Sequence, residues 1–445
     1  MTREIEIFML LIYTHKITPR LTFTFKHLFT HILNLQVSFT SKIEEFIAHD
    51  GLKFSYTRQA LGNEIFIKSN ELLFDQGIDY LDIAIGNWDD DFCFFPSGGN
   101  SVIPFDIFAA SFYLISRYEE YLPQVKDEFD RFPAVESLAY QYKFLDKPIV
   151  DIWAYKFKKV LLEKFPGHEE LLRSTRKFKF ISTIDVDIAF NFKHKGLVRT
   201  IGGIINDLFA FKLKEIWLRF LVIFGLKKDP FNNFSRLIYL QKKYNVTTIF
   251  FFLMSEYTTF DKNISAGNIN YKLLIKNVAD YCKVGIHPSY FSLKNEQKIK
   301  KEKKRLEQIV NFPITKSRQH YLRLALPDTY QHLVNLEIKE DYTMGYASHY
   351  GFRAGTCTPF YFYDLDYEIQ TPLKIFPFAV MDGTLKDYLN FTAKRSYDTI
   401  LRMAEEVKKV NGTFITLFHN ESVGGTGRWK GWKDIYENVM RELSD

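Results

Sequence analysis

Cysteine is scarce in this chain: Cys93, Cys282 and Cys357 are the only three among 445 residues, they lie far apart, and none forms a CxxC pair. This argues against both a disulfide framework and a zinc knuckle, and a reduced, cytoplasmic setting is expected. Also missing is an apolar run able to cross a bilayer, which needs about 20 residues. Near the start, Ile5 to Tyr13 is too short. Arg3, Glu4 and Glu6 crowd it and Thr14-His-Lys follows without a small-residue cleavage site, so no secretory leader is expected. Interpretable text begins at Leu10, which predicts Met9, not Met1, as the natural start. No internal repeat and no low-complexity segment is present. The net charge is +6, but the basic residues are scattered. The one dense run, Lys298-Ile-Lys-Lys-Glu-Lys-Lys-Arg305, has helical spacing and an acidic interruption, so it reads as a solvated helix face and no nucleic-acid partner is expected.

Aromatic residues are abundant, with 44 Phe and 26 Tyr. Most such rings fill cores, and only a few can serve as platforms for sugars. The length suits about two or three domains at roughly 150 residues each. Up to about Phe165 short extended and helical runs mix, and the clearest helix is Phe105 to Tyr121. Lys164-Phe-Pro-Gly167 and the polar stretch to Lys177 break the pattern. We therefore expect an N-terminal α/β domain over 1–170 and a second domain over 171–445.

The second part alternates strands and helices, the pattern of a parallel α/β sheet or barrel. The predicted strands are Phe178–Val186, Val246–Met254, Val284–His287, Ile314–Tyr321, Asp341–Gly345, Ile375–Ala379 and Thr413–His419, with helices over Tyr271–Tyr281 and Tyr397–Val410. A long insertion at about 191–244 is rich in Leu, Ile, Phe, Trp and Lys. Asp207, Lys212, Lys214, Glu215 and Arg219 interrupt it, so it is not a transmembrane helix. It reads as a helical pair packed on the barrel, or as a basic amphipathic surface making peripheral membrane contact.

Thr183-Ile-Asp-Val-Asp187 places two carboxylates at the end of an apolar strand. Residues two apart point to one face, and buried acids need a partner or a cation. Read alone, they could equally cap the following segment in solvent. Val284-Gly-Ile-His-Pro-Ser-Tyr290 ends a short strand at His287, which Pro288 prevents from continuing. Ser317-Arg-Gln-His-Tyr-Leu-Arg323 offers Arg318 and His320, Gly351-Phe-Arg-Ala-Gly-Thr356 offers Arg353, and Thr416-Leu-Phe-His-Asn420 ends a strand at His419. In a parallel barrel the C-terminal strand ends share one face, which makes Asp185, Asp187, His287, His320 and His419 neighbours.

These motifs, in this order, resemble those of polysaccharide deacetylases of the NodB homology type, similar to carbohydrate esterase family 4. The likeness covers about Lys177 to Asn420. It implies a distorted seven-stranded (β/α) barrel and a divalent metal, zinc being the expected ion. It also implies that Asp185 is the base, Asp187 and His287 are metal ligands and His419 is the acid. The family's second histidine falls four residues after the first, where this chain has Phe291. His320 is the expected replacement ligand, sharing strand parity with Arg318. The resemblance assigns Arg318 to orienting the base. Arg353 lies between glycines and could either bring its guanidinium to an anion such as the substrate or stabilise a turn, and Tyr290 joins them as a candidate for substrate contact or orientation. The segments Ile12-Tyr-Thr-His-Lys-Ile-Thr-Pro-Arg20 and Pro104 to Glu120 resemble an uncharacterised domain that precedes such barrels in some bacterial proteins. The expected function is removal of acetyl groups from an N- or O-acetylated carbohydrate. The alternatives are an inactive carbohydrate-binding pseudoenzyme and a metal-dependent amidase acting on a small amide.

Overall fold

The structure, a computed structural model, describes residues 9–168 and 176–444. The expectation about Met9 concerns residues outside this range, as does part of the break that the sequence sets before Lys177.

In the first part β1 (Leu10–Thr14), β2 (Val37–Thr40), β3 (Lys53–Thr57) and β4 (Phe66–Lys68) form a parallel sheet in the order β2-β1-β3-β4. An antiparallel pair follows, β5 (Ile85–Trp88) and β6 (Asp91–Phe94). Helix α1 (Ile107–Ile115) is apolar all round and wholly buried, which suits a helix threaded through a core. The Asp106 carboxylate caps it by accepting from the Phe108 and Ala109 amides. The predicted run to Tyr121 ends early because Arg117 takes a left-handed conformation, φ 56°. Helix α2 (Ile149–Lys164) closes this part.

The second part is built on a nine-stranded sheet. Its strands are β7 (Lys179–Val186), β8 (Thr247–Leu253), β9 (Lys283–His287), β10 (Lys316–Ser317), β11 (Glu340–Asp341), β12 (Phe360–Asp364), β13 (Ile369–Ile375), β14 (Val380–Met381) and β15 (Thr413–His419). The order is β12-β13-β11-β10-β9-β8-β7-β15-β14, parallel except for the β12–β13 pair. The expected seven-stranded barrel is thus corrected to an open sheet whose ladder does not close. The sheet is nevertheless curled. Seven interstrand steps separate β13 from β14, about 34 Å if flat, yet only residues 376–379 join them, a link of about 18 Å at full stretch. The amide of Phe378 donates to the Met344 carbonyl on one side of the gap and that of Ala379 to the Ile415 carbonyl on the other.

Strand parity fills the hollow. Ile181, Ile249, Phe251, Tyr342, Phe378, Ile415 and Leu417 pack in a separate interior cluster, while the opposite faces join a core continuous with the first part. Gly285 belongs to this interior: a Cβ there would meet the Phe251 ring and the Lys316 carbonyl within 2.8 Å. Continuing the same parity to the C-terminal ends brings Asp185, His287 and His419 to one mouth.

Other expectations change in detail. The fourth and fifth predicted strands shrink to two residues each, and after the fourth the chain leaves the ladder in a turn where Tyr321 and Leu322 carry positive φ. The sixth shifts, its predicted residues 376–379 being the link between β13 and β14. The insertion holds three helices, α3 (Leu197–Phe209), α4 (Leu213–Ile223) and α5 (Phe234–Tyr244). Only α5 packs an apolar stripe, Phe234, Leu237, Ile238 and Leu240. The basic run lies on α6 (Glu296–Val310), and its acidic interruption is not solvated. Glu302 is buried on the stripe of Ile299, Leu306 and Ile309, where it accepts from the Ser289 hydroxyl and amide.

Candidate active site

Three histidines and two aspartates meet at the mouth of the curled sheet, over a cavity of about 270 Å³ lined also by Arg131, Phe260, Lys262, Tyr321 and Trp429. Asp185 and Asp187 come from the end of β7, His287 ends β9, His419 ends β15, and His320 sits in the turn after β10.

The hydrogen bonds on the far side of each ring decide what the near side can do. His287 Nδ1 faces the Arg318 carbonyl at 2.5 Å. A carbonyl can only accept, so Nδ1 carries the proton and Nε2 presents a lone pair. That Nε2 faces Asp187 Oδ1 at 3.2 Å and Asp185 Oδ2 at 3.7 Å. His320 repeats the arrangement: its Nδ1 donates to Asp261 Oδ1 at 2.8 Å, and its Nε2 faces Asp187 Oδ2 at 3.6 Å. Asp187 Oδ1 is enclosed without a hydrogen-bond partner. One ligand atom from each of Asp187, His287 and His320 lies within 4.8 Å of the others. Ligand atoms converging at these distances could hold a cation. Burial works against charge on His320, but Asp187 and Asp261 outweigh it and push the imidazole up to about 9. Burial likewise opposes the charge on Asp187, yet the three histidines hold its carboxyl well below the usual range.

The two groups flanking this trio are oriented differently. Arg318 is fully buried between the Phe251 and Phe378 rings and donates through Nη1 to Asp185 Oδ1 at 2.9 Å and to the Thr183 hydroxyl at 2.7 Å. His419 is gripped by Asp382, which accepts from its backbone amide and from Nδ1, both at 2.7 Å. Its Nε2 faces the cavity side, 3.6 Å from Asp187 Oδ2. Burial disfavours the imidazolium, but Asp382, Asp187 and Asp185 outweigh that and raise His419 well above the ordinary histidine range.

Asp185, Asp187, His287, His320, His419 and Arg318 are therefore brought together, although Arg318 and His320 reach the site from a turn and not from a continuing strand. Arg353 is not with them: it is buried against Glu120, donating at 2.8 and 2.6 Å, and to the Gly345 carbonyl, so its guanidinium is spent joining the two parts of the chain. Tyr290 does not line the cavity; its ring is stacked between Phe260 and the Arg323 guanidinium. Phe291, where the resemblance looks for a histidine, is half exposed on the same turn. Sequence reasoning missed Asp261, Asp382 and Thr183. Thr183 had a signal, since it shares parity with Asp185, whereas the two aspartates lie in irregular segments without one.

Residues 10–166 match the model of a family of unknown function, DUF7033. A search of curated proteins finds no match. Among solved structures, similarity is found to a protein from Mycobacterium smegmatis assigned as a polysaccharide deacetylase, at 14% identity and TM-score 0.39 over 60% of this chain and 86% of that one. It is also found to BA3943, a CE4 family pseudoenzyme from Bacillus anthracis, at 11% and 0.30 over 60% and 63%. The polysaccharide deacetylase Bc1974 from Bacillus cereus gives 10% and 0.29 over 60% and 88%.

Proposed function

We propose that this chain is a metal-dependent hydrolase that removes acetyl groups from an N- or O-acetylated carbohydrate. The observation that carries the reading is the convergence of three lone-pair donors, Asp187, His287 and His320, between an oriented carboxylate and an oriented imidazole. Those three residues would hold a divalent ion, and a two-nitrogen, one-oxygen set suits zinc. When bound, such an ion polarises an acyl carbonyl and acidifies water.

The chain's own residues divide the remaining work. Arg318 fixes Asp185 through Oδ1 and leaves Oδ2 as proton acceptor for the attacking water. Asp382 accepts from Nδ1 of His419 and favours the imidazolium, and in that charged form Nε2 carries the proton that a departing sugar amine or hydroxyl needs near neutral pH. Phe260, Tyr321 and Trp429 line the cavity and offer rings for a sugar face.

The test is acetate release from a panel of acetylated oligosaccharides and small amides by the metal-loaded chain and by Asp185→Asn. We expect release from the sugars and a fall on the order of 10²–10⁴ in the variant, with metal retained. Full activity in Asp185→Asn would overturn the mechanism, and turnover of amides alone would overturn the substrate class.

A further inference from the structure

The insertion contains a helical hairpin with a mixed inward side. Between α3 and α4, Arg219 is buried, pairs with Asp207 and lies over the Phe192 ring, and Val222 is buried one turn further on. A Cβ on Gly203 would strike its guanidinium, so the helices cross closely there. The outward side is apolar. On α3, Leu197, Ile201, Ile205 and Leu208 recur at helical spacing, and no residue of that helix is buried. On α4 and at its C-terminal cap, Leu213, Trp217, Phe220 and Phe224 do the same, and these eight side chains are 39 to 78% exposed. Soluble surfaces rarely leave so continuous an apolar face to water, and one rimmed by charge marks a contact surface.

The rim identifies the partner. Residues 193–228 hold eight basic and two acidic side chains, and one of the acids, Asp207, is spent on Arg219. Lys212, Lys214, Lys227 and Lys228 are exposed at the ends of the hairpin. A two-fold pairing with a second copy would bring these lysines against their own kind. Aromatic and aliphatic side chains on one face, with lysines at the edges, are what a helix lying in an anionic lipid interface requires. No described helix is long and apolar enough to cross a membrane, so the contact is peripheral.

We infer that the α3–α4 hairpin docks this protein on an anionic membrane surface. The site is thereby held near the lipid: Arg199 of α3 donates to the carbonyls of Lys262 and Asn263, in the loop that also carries Asp261. The inference does not depend on the proposed chemistry.

The test is co-sedimentation of the full chain with vesicles of phosphatidylcholine alone and with equal parts phosphatidylglycerol, alongside the emission of Trp217. Of the five tryptophans Trp217 is the exposed one; Trp153, Trp429 and Trp432 are buried and Trp88 is half-buried. We expect binding to the anionic vesicles with a blue shift, lost on raising salt. Trp217→Glu and Phe224→Glu should each weaken it on the order of tenfold, as expected for a ring no longer inserted. Reversing Lys212, Lys214, Lys227 and Lys228 to Glu should abolish the anionic preference while far-ultraviolet dichroism stays unchanged. Absence of binding to either vesicle, or wild-type binding by the variants, would overturn the inference. A concentration-dependent dimer abolished by the same substitutions, without vesicle binding, would overturn it in favour of a second copy.

Discussion

Among the charged clusters that the described residues bury, two differ in a way that separates a brace from a site. In the first, Arg117, Glu119, Glu120 and Arg353 pair two guanidinium groups with two carboxylates, and every carboxylate oxygen has a donor, down to the Leu138 amide on Glu119. In the second, the histidines use Nδ1 on Arg318, Asp261 and Asp382 and aim Nε2 at carboxylates, leaving Asp187 Oδ1 without a hydrogen bond. Burial of charge is common to both. What distinguishes the second is unspent acceptor capacity beside a cavity.

The comparison can be broken most severely at the brace. Glu120→Ala strands Arg117 and Arg353 without their shared carboxylate, and should cost about 3–5 kcal/mol of stability by urea unfolding. At a pH above about 9, where His320 no longer carries the proton that Asp187 favours, Asp187→Asn should not destabilise the metal-free fold comparably, because Asp187 Oδ1 gives up no donor. Equal losses would erase the distinction.

Second in size, Asp261→Asn should weaken metal affinity about 10–100-fold, because the tautomer and orientation of His320 depend on that carboxylate. Competition against a chromophoric chelator measures it, and unchanged affinity would make Asp261 a bystander.

A smaller effect is linked to pH. His320 is raised to about 9 in the folded chain. Its protonation stabilises the metal-free protein fully below an unfolded value of about 6.5, and that contribution is lost as pH rises through about 9. Metal must displace the same proton, so affinity should increase with pH up to about 9. Calorimetry in buffers of differing ionisation enthalpy should show proton release on binding near neutral pH, and its absence would place the proton elsewhere. Smallest of all, Phe291→Ala should leave metal affinity unchanged.

The motif strands were legible in sequence because apolar alternation and C-terminal acids or histidines coincide: Thr413–His419 is observed at its predicted bounds, and Asp185 and Asp187 point where parity requires. The turn after Ser317 was not legible as a turn, since nothing in Gln319-His-Tyr-Leu322 announces two successive positive φ angles. Arg353 was misplaced because a guanidinium between glycines reads the same whether its anion is a substrate or Glu120, 233 residues away. The insertion is read as helical from its charge-interrupted apolar stretches, but composition alone does not say whether an apolar stripe faces protein or solvent. The two orienting aspartates were invisible because long-range partners leave no local pattern.

The central claim is that Asp187, His287 and His320 form a cation site. Its most direct test is metal content at equilibrium, after stripping and reloading with zinc, for the wild type, His287→Ala and His320→Ala. We expect one ion per wild-type chain and loss of tight binding in both variants, with folding retained. No binding by the wild type, or wild-type occupancy in His287→Ala, would contradict it.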